Sequence, residues 1–420
     1  LILLLPIIGF PIILLMGKFS EKLRKYTGNV ATSLIFISFL LSYYVYLNVP
    51  VKAVFSYPWF YNFTWGIYLD PLSISMALMV SGVSFLIHMF AIGYMGRDPN
   101  KHVYFAETSL FTGGMLGVVL SSNLVMLFLF WELVGLCSML LIGFWWHKPN
   151  AASAAKKAFI VTRVGDMMLI LGLAVLFWSL YNQSDPLSIS TIVQNASSIS
   201  KINLALATVL ILGGAAGKSA QFPLHVWIPD AMEGPTTVSA LIHAATMVTA
   251  GIYLVARLFP IYMIAIPAVG YIVLYMGAIT LFIAGTLGMV MNDIKRILAY
   301  STISQLGYML TALGLGAVLQ EYTVGISMYH LIVHSFLKAL LFLSAGAILY
   351  SLLDVRDIRK MGGLWKKMPI TITAMFIGSL TLSGIPPTAG YFSKDEIVSL
   401  SYYLYQNTGN IIPWIILVIG

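Results

Sequence analysis

The sequence predicts an all-α polytopic membrane protein, and three observations support that fold class. Hydrophobic residues make up 59% of the 420 residues, whereas charged residues make up only 9%. Apolar stretches of about 20 residues, the length that a helix needs to cross a bilayer, recur along the chain with short polar turns between them. A transmembrane β-barrel would instead show sustained alternation of polar and apolar residues. We therefore expect a helical bundle embedded in lipid.

The apolar stretches predict thirteen membrane spans, the last of which is cut short at Gly420. Their approximate bounds are 1–16, 29–48, 68–95, 105–120, 123–146, 156–180, 203–228, 236–258, 262–288, 296–317, 324–351, 370–400 and 408 onward. Of the 23 Lys and Arg residues, sixteen fall in the odd-numbered turns between these spans and three in the even-numbered turns. Because basic loops stay on the cytoplasmic side, this asymmetry predicts an N-terminus on the outer face.

Two of the predicted spans contain prolines that should break them. Pro223 lies inside the seventh span, and Pro386, Pro387 and Gly390 lie together in the twelfth. Proline removes a helix hydrogen bond and clashes with the preceding turn. A broken helix at membrane depth is tolerated only where protein buries it or where it lines a water-filled cavity. Both regions are therefore predicted to border the functional interior.

The spacing of the two breaks predicts an internal repeat. They are five spans apart, and an odd offset between equivalent helices implies opposite orientations in the membrane, as in an inverted repeat. Each break also has a lysine close by, Lys218 at the first and Lys394 at the second. We therefore divide the chain into an N-terminal three-helix segment (1–104), a first repeat of spans four to eight (105–258) and a second repeat of spans nine to thirteen (259–420).

The cysteine content and the charge limit the chemistry of this chain. The single cysteine, Cys137, cannot form an internal disulfide and leaves no ligand set for an iron–sulfur cluster. Any redox cofactor is thus expected in partner chains, and neither a cofactor nor a metal is expected here. The net charge of +8 could indicate a nucleic-acid partner. Basic residues that flank membrane spans explain it better, so no nucleic acid is expected.

Glu132 and Lys218 are the first pair of candidate functional residues. An ionisable group near the bilayer centre costs roughly 2.5–3.5 kcal/mol on insertion scales, so each one needs a reason. Glu132 is separated from other charges by long uncharged runs on both sides, and we predict Lys218 as its partner. Burial favours the neutral amine and a nearby carboxylate favours the charged one, so the pair could poise a proton. A permanent salt bridge that fixes helix packing is the alternative.

A row of titratable side chains follows one face of the eleventh span. His330, His334 and Lys338 are spaced at i, i+4 and i+8, which places them on one helical face over roughly 12 Å of rise. This pattern predicts protonatable groups aligned along the membrane normal. A zinc site competes with that interpretation, although Leu331 stands where the HExxH form needs Glu. Histidines that only hydrogen-bond neighbouring helices are a further alternative.

Other membrane histidines have competing interpretations as well. His243, in the eighth span, and His330 could in principle be axial haem ligands. Their small or polar neighbours, beside the broken helices, favour hydrated proton transfer instead. His88, in the third span, is left open between local packing and function.

Further charged candidates follow the second break and lie in the sixth span. Lys394, Asp395 and Glu396 are predicted to approach the outer end of the twelfth span, where protons would leave by Lys394 and Asp395. An ordinary solvated helix end is the alternative for the two acids. Asp166, with Arg163 one turn earlier, is left open between a local polar contact and a functional role.

Three segments carry a resemblance to a known family. They read GKSAQFPLHVWIPDAMEGPTTVSALIHAATMVTAGIYL, HSFLKALLFLSAG and GYFSKDEI. From about Tyr68 to Glu396, their order and spacing resemble the antiporter-like family of respiratory complex I, specifically its subunit 5 type (L, or chloroplast F). The resemblance implies two inverted five-helix repeats. It also implies functional roles for Glu132, Asp166, Lys218, His243, His330, His334, Lys338 and Lys394.

The same resemblance implies a function. It predicts a non-redox, proton-translocating membrane subunit of a complex I-type oxidoreductase that passes electrons from NADH, ferredoxin or F(420)H(2) to a quinone. Flavin, iron–sulfur clusters and quinone would lie in partner subunits. A subunit of a Na⁺/H⁺ antiporter or of a membrane-bound hydrogenase is the alternative. Thr249 stands where the A-type subunit of the related cation/proton antiporters usually carries lysine, which favours the complex I branch.

These expectations predict a route for protons through the chain and the membrane in which the chain works. Protons would enter from the inner face through the eighth-span region, and the steps would involve Lys218, His243, His330, His334, Lys338, Lys394 and Asp395 in that order. The partners would be lipid and other membrane subunits, especially other antiporter-like ones. The setting would be an energy-coupling membrane, either a prokaryotic plasma membrane or a thylakoid or mitochondrial inner membrane.

Overall fold

The computed structural model describes residues 1–48, 52–60 and 63–420, and this part of the chain is mostly helical. The first eleven helices are α1 (Leu4–Phe19), α2 (Glu21–Arg24), α3 (Thr27–Asn48), α4 (Pro71–Tyr94), α5 (Lys101–Leu120), α6 (Leu124–Ile142), α7 (Pro149–Ser179), α8 (Ile189–Asn195), α9 (Lys201–Lys218), α10 (Thr236–Ala244) and α11 (Met247–Arg257). The remaining helices are α12 (Phe259–Ile264), α13 (Pro267–Val290), α14 (Ile294–Leu319), α15 (Val324–Ser351), α16 (Leu364–Lys367), α17 (Pro369–Ser383), α18 (Ala389–Thr408) and α19 (Ile412–Ile419). The described residues also contain two strands, β1 (Ala53–Phe60) and β2 (Phe63–Leu69), and three single-turn 3-10 helices.

The helical membrane fold is confirmed, but the predicted count of thirteen spans is not. Within the described residues, ten helices are long and apolar enough to cross a membrane, if α10 and α11 are taken together as one span. The apolar helices α1 and α17 have only 16 and 15 residues, and α19 has 8. These shorter helices correspond to the predicted first, twelfth and thirteenth spans.

The breaks differ in detail from those that the prolines predict. Helix α9 ends at Lys218, so Pro223 lies in the turns after the helix rather than inside a span that continues to residue 228. The second break is present between α17 and α18, where Gly384 adopts a left-handed conformation with φ of 74°. A further interruption at Ala245 and Thr246 divides the predicted eighth span into α10 and α11.

Side-chain hydroxyls satisfy the backbone where α10 gives way to α11. Thr246 Oγ1 donates to the Leu241 carbonyl at 2.7 Å, and Thr249 Oγ1 donates to the Thr246 carbonyl at 2.7 Å. Ser219, directly after α9, donates its hydroxyl to the Val248 carbonyl at 2.7 Å. A backbone group left unsatisfied in a bilayer costs several kcal/mol, so these contacts make the interruption tolerable. They also attach it to the end of α9.

Helices α10 and α11 form the centre of the bundle. Every residue of both helices is buried. His243, near the end of α10, stacks on Phe342 of α15 with ring centroids 4.9 Å apart. The predicted eighth and eleventh spans are therefore in direct contact at the level of their titratable side chains.

Helices α7 and α9 approach each other through glycines. A Cβ atom added to Gly165 would lie 2.9 Å from the Cα of Gly217 and 3.1 Å from the carbonyl oxygen of Gly213. Small residues allow transmembrane helices to come this close. Asp166 and Lys218 directly follow two of these glycines, so the close approach places an acid and a lysine side by side.

An unpredicted β-hairpin precedes α4. Strands β1 and β2 pair in antiparallel fashion, with Tyr57 opposite Trp65. Thr64 donates its hydroxyl to Asp185 at 2.6 Å, and the Ser122 amide donates to the Gly66 carbonyl at 3.1 Å. The hairpin therefore joins the loops that follow α5 and α7.

Candidate functional site

The predicted pairing of Glu132 with Lys218 is wrong. Glu132 of α6 instead forms an ion pair with Arg163 of α7. The Arg163 guanidinium also lies over the ring of Phe159, 4.5 Å from its centroid. Arg163 and Glu132 are both partly exposed on the side of the bundle, whereas Lys218 is completely buried. The ion pair of Glu132 with Arg163 therefore lies near the surface of the bundle, whereas Lys218 lies in its interior.

Lys218 pairs with Asp166. Its Nζ lies 3.3 Å from Asp166 Oδ2, and both side chains are buried. Trp131 of α6 donates its indole N–H to Asp166 Oδ1 at 2.6 Å, and its ring centroid lies 5.8 Å from the Lys218 ammonium. Arg163 Nε is 3.9 Å from Asp166 Oδ2. Asp166 therefore joins the two pairs into one chain of alternating charge that ends at Lys218.

Two histidines at the centre of the bundle have free ring nitrogens. Neither nitrogen of His243 and neither nitrogen of His334 has a hydrogen-bond partner within the described part of the chain. Both side chains are completely buried. A buried imidazole that makes no fixed hydrogen bond keeps both nitrogens available to accept or donate a proton.

Lys338 is buried and donates its hydrogen bonds to uncharged groups. Its Nζ donates to the Ser301 hydroxyl at 2.6 Å and to the Leu298 carbonyl at 3.2 Å, both on α14. Among the residues that the structure describes, no carboxylate forms an ion pair with it. Lysines inside a membrane are rare and mark ion pathways and proton relays.

His330 and Lys394 meet where α15, α14 and α18 come together. His330 Nδ1 lies 2.8 Å from the Ser393 hydroxyl, and its Nε2 lies 3.1 Å from Gln305 Oε1. Both ring nitrogens are therefore occupied, and neither is free for the zinc site considered above. Lys394 donates to the Leu382 carbonyl at 2.7 Å, and its ammonium lies 5.1 Å from the ring centroid of Tyr308.

An open cavity of about 750 Å³ adjoins Lys394. Its polar lining consists of Ser301, Ser304, Gln305, Tyr308, Ser383, Tyr391, Lys394 and Asp395. Asp395 and Glu396 are exposed. The cavity gives Lys394 and Asp395 a common polar surface, and Ser301 connects it to the ammonium of Lys338.

The structure brings most of the predicted residues into one group. His334 lies within electrostatic range of His243, His330, Lys338 and Lys394. Lys218 is outside this group of five, and Ser219, the residue after it, donates to the Val248 carbonyl beside the α10–α11 interruption. The predicted row on α15 thus continues to α10 on one side and α18 on the other.

His88 is a packing residue in this structure. Its Nδ1 lies 2.8 Å from the Ser84 carbonyl, and its Nε2 lies 3.0 Å from the Thr108 hydroxyl. The buried imidazole is satisfied locally by α4 and α5, away from the central group. This arrangement favours the packing interpretation that the sequence left open.

Lys295 is buried, which its sequence position did not predict. We counted it among the loop lysines, but its side chain is buried and its Nζ donates to the carbonyls of Met232 and Gly234 at 2.6 and 2.7 Å. The signal was present in Asp293, whose side chain accepts from the Lys295 amide and caps α14. A capping residue two positions earlier places Lys295 in the first helical turn rather than in the loop.

A second missed feature is the polar face of α14. Ser301, Gln305 and Tyr308 are spaced at i, i+4 and i+7 and face the lysines and histidines of α15 and α18. That spacing is visible in the sequence, since residues three and four apart share a helical face. Uncharged polar residues stand out less in an apolar span than charged ones do.

The chain is a membrane-embedded helical bundle with charged and titratable residues in its core. This architecture is typical of ion-translocating membrane subunits. The chain belongs to the family described as NADH:quinone oxidoreductase/Mrp antiporter, transmembrane, whose model matches residues 121–420. Residues 59–105 match a second model, described as NADH-ubiquinone oxidoreductase (complex I), chain 5 N-terminus. The predicted family resemblance is therefore confirmed.

Two proteins from other organisms show the similarity of this chain to its relatives. It is 47% identical to F(420)H(2) dehydrogenase subunit L of Methanosarcina mazei, over 98% of this chain and 65% of that protein. It is 42% identical to NAD(P)H-quinone oxidoreductase chain 5 of Picosynechococcus sp., over 95% of this chain and 62% of that protein. The chain thus spans less than two thirds of the length of these relatives.

Solved structures share the fold. The Mrp complex of Dietzia sp. matches with a TM-score of 0.83 and 29% identity, over 96% of this chain and 43% of that chain. The membrane-bound sulfane sulfur reductase, an archaeal respiratory membrane complex, matches with a TM-score of 0.88 and 22% identity, over 100% of this chain and 84% of that chain. The second similarity is one of fold alone.

Proposed function

We propose that this chain is a proton-translocating membrane subunit of a complex I-type quinone oxidoreductase whose flavin, iron–sulfur clusters and quinone lie in partner subunits. The names of its relatives, a subunit L of F(420)H(2) dehydrogenase and a chain 5 of NAD(P)H-quinone oxidoreductase, support this assignment. The observation that carries it is the buried group of His243, His334 and Lys338. Their side chains form no ion pair within the described residues.

The proposed route begins at Lys218 and ends at the cavity beside Lys394. Lys218 gives up its proton through the hydroxyl-lined interruption of α10 and α11, and His243 receives it. His334 and Lys338 pass it along α15, and His330 brings it to Lys394. Asp395 then carries it to the surface of the cavity. Under this proposal residues 105–258 load the proton and residues 259–420 release it, with the N-terminus on the outer face.

In this structure Glu132 interacts with Arg163, and it can affect Lys218 only through Arg163 and Asp166. Its guanidinium touches Glu132 and lies 3.9 Å from Asp166. A shift of Arg163 towards Asp166 weakens the attraction between Asp166 and Lys218, because one carboxylate is then shared by two cations. The proton is released from Lys218 as a result. Neighbouring membrane subunits would drive that shift through the partly exposed Glu132–Arg163 pair.

Neutralising Lys218 tests the proposal. In the assembled complex, we expect Lys218→Met to abolish proton translocation while the partner subunits still accept electrons, measured as acidification of proteoliposomes beside donor oxidation. Lys366→Met, at an exposed position of α16, is the matched control. Translocation at the wild-type rate by the Lys218 variant, with electron transfer also unchanged, would contradict the proposal.

A cation/proton antiporter component is the second candidate function. The similarity to the Mrp complex of Dietzia sp. favours it. Proteoliposomes that contain the complex separate the two functions. Exchange of Na⁺ for protons without an electron donor supports the antiporter, whereas proton movement that requires a donor and a quinone and ignores Na⁺ supports the oxidoreductase.

A further inference from the structure

Glu107 is a membrane-embedded acid that the route above does not use. It lies on α5, and its Oε2 is buried with no hydrogen-bond partner in the described part of the chain. Its side chain lines a cavity of about 530 Å³ between α5, α6 and α7. Met139 of α6 and Ala152 and Lys156 of α7 also line it.

The cavity lies directly in line with the Glu132–Arg163 pair. Met139 follows Glu132 by seven residues on α6, and Lys156 precedes Arg163 by seven residues on α7. Seven residues are two helical turns, so each cavity residue shares a face with the corresponding member of the pair, about 10 Å away along the axis. The loop that joins α6 to α7 is at this end, and Lys156 is exposed there. We call this side the Lys156 face.

We propose that this cavity is a water-filled vestibule through which protons pass from the Lys156 face to the Glu132–Arg163 pair, with Glu107 as the proton-uptake carboxyl. The inference rests on the proposed function. A buried carboxyl group costs free energy unless it is hydrogen-bonded. At about 30 Å³ per molecule, the cavity has room for on the order of ten waters, which can satisfy Glu107.

Glu132 is suited to receive the proton. Its Oε2 faces Arg163, whereas its Oε1 is buried and has no partner among the described residues. A proton from bulk water binds the Glu107 carboxylate, and water in the vestibule carries it to Glu132 Oε1. Glu107 is left as a carboxylate, ready for the next proton. Among the described residues that line the cavity, Lys156 is the other charged one, and the buried thiol of Cys137 lies on α6 between Glu132 and Met139.

Thiol labelling tests the vestibule independently of transport. Cys137 is the only cysteine of this chain, so Cys137→Ala provides a background in which its one thiol is absent. In the complex, we expect Glu107→Cys in that background to react with a charged, membrane-impermeant thiosulfonate from the Lys156 face and not from the opposite face. Glu21→Cys, at an exposed position, is the positive control. Reaction only with a lipid-soluble maleimide would show an acyl chain in the cavity and overturn the inference.

Transport measurements test the carboxyl. We expect Glu107→Gln, and Ala152→Trp which fills the cavity, each to lower donor-driven proton translocation several-fold, whereas Glu107→Asp restores it. Glu21→Gln and Ser153→Trp are the matched controls. If Lys218→Met stops translocation but Glu107→Gln and Ala152→Trp leave it at the wild-type rate, the vestibule is wrong and the proposed function stands. If Lys218→Met also leaves it unchanged, the proposed function itself fails.

Discussion

Lys218 and Lys338 are both completely buried, but their ammonium groups have different environments. Lys218 has the Asp166 carboxylate at 3.3 Å, whereas Lys338 has a serine hydroxyl and a backbone carbonyl. A carboxylate favours the charged amine much more than a hydroxyl does. The two lysines are therefore different proton sites, although both are fully buried lysines in membrane helices.

The pairing of Asp166 with Lys218 predicts a non-additive stability effect. Asp166→Asn leaves Lys218 buried without its counter-ion, which should cost about 3–5 kcal/mol. Adding Lys218→Met removes the unpaired charge, so the double variant should recover about 1–3 kcal/mol relative to the sum of the single variants. Thermal unfolding of the purified complex in detergent measures the stability of the single variants and of the double variant. Strict additivity would contradict a direct ion pair.

Charged residues in apolar runs are conspicuous, and for that reason most of the candidate site could be predicted from the sequence. Their partners could not. Glu132 was assigned to Lys218 because no rule of spacing indicates which faces of α6, α7 and α9 meet. Arg163 and Asp166 are three residues apart, so a small rotation of α7 decides which acid receives which cation. Such a rotation is set by packing along the whole helix.

At the scale of helices, the glycine contact between α7 and α9 places the ion pair. Gly165 and Gly217 bring the two backbones together immediately before Asp166 and Lys218. Helix α9 ends at Lys218, before Pro223, and Ser219 directly after it donates its hydroxyl to the Val248 carbonyl of α11. The proline signalled a break correctly but not the residue at which the helix stops.

Widening that contact should weaken the site. Gly165→Ala introduces a methyl group 2.9 Å from the Gly217 Cα, which should push α7 and α9 apart and cost about 1–3 kcal/mol of stability. We expect donor-driven translocation to fall with it, since the Asp166–Lys218 distance increases. Gly325→Ala on α15 is the control, because its methyl group has nothing within 4 Å. Equal melting temperatures and transport rates for the two variants would refute the close contact.

At the scale of the whole molecule, an ion pair connects distant parts of the chain. Arg257, at the end of α11, donates to both carboxylate oxygens of Asp70, at 2.5 and 2.9 Å, and Asp70 caps α4. Arg257 also donates to Tyr253, whose hydroxyl donates to the Val119 carbonyl of α5 at 2.6 Å. This cluster ties the N-terminal segment to the central helices.

The cluster predicts a pH-dependent contribution to stability. Burial alone would raise the pKa of Asp70, but the hydrogen bonds and charge of Arg257 outweigh burial and hold that pKa below its ordinary value. The contribution is therefore complete above the ordinary pKa of about 4 and is lost as the pH falls through the lowered one.

Asp70→Asn keeps the helix cap and removes the charge. We expect it to destabilise the complex by about 3 kcal/mol at neutral pH, with the difference from wild type shrinking below about pH 4. Thermal unfolding between pH 3 and 8 measures it, and Glu321→Gln, at an exposed position, is the control. A difference that grows on acidification would be inconsistent with the pair.

The interruption between α10 and α11 has a consequence for how the core can become wet. Carbonyls on both sides of it accept hydrogen bonds from the hydroxyls of Thr246, Thr249 and Ser219. A hydroxyl that rotates away can be replaced by a water molecule, and the number of hydrogen bonds stays the same. Hydration can therefore advance through this joint one exchange at a time, without unwinding either helix.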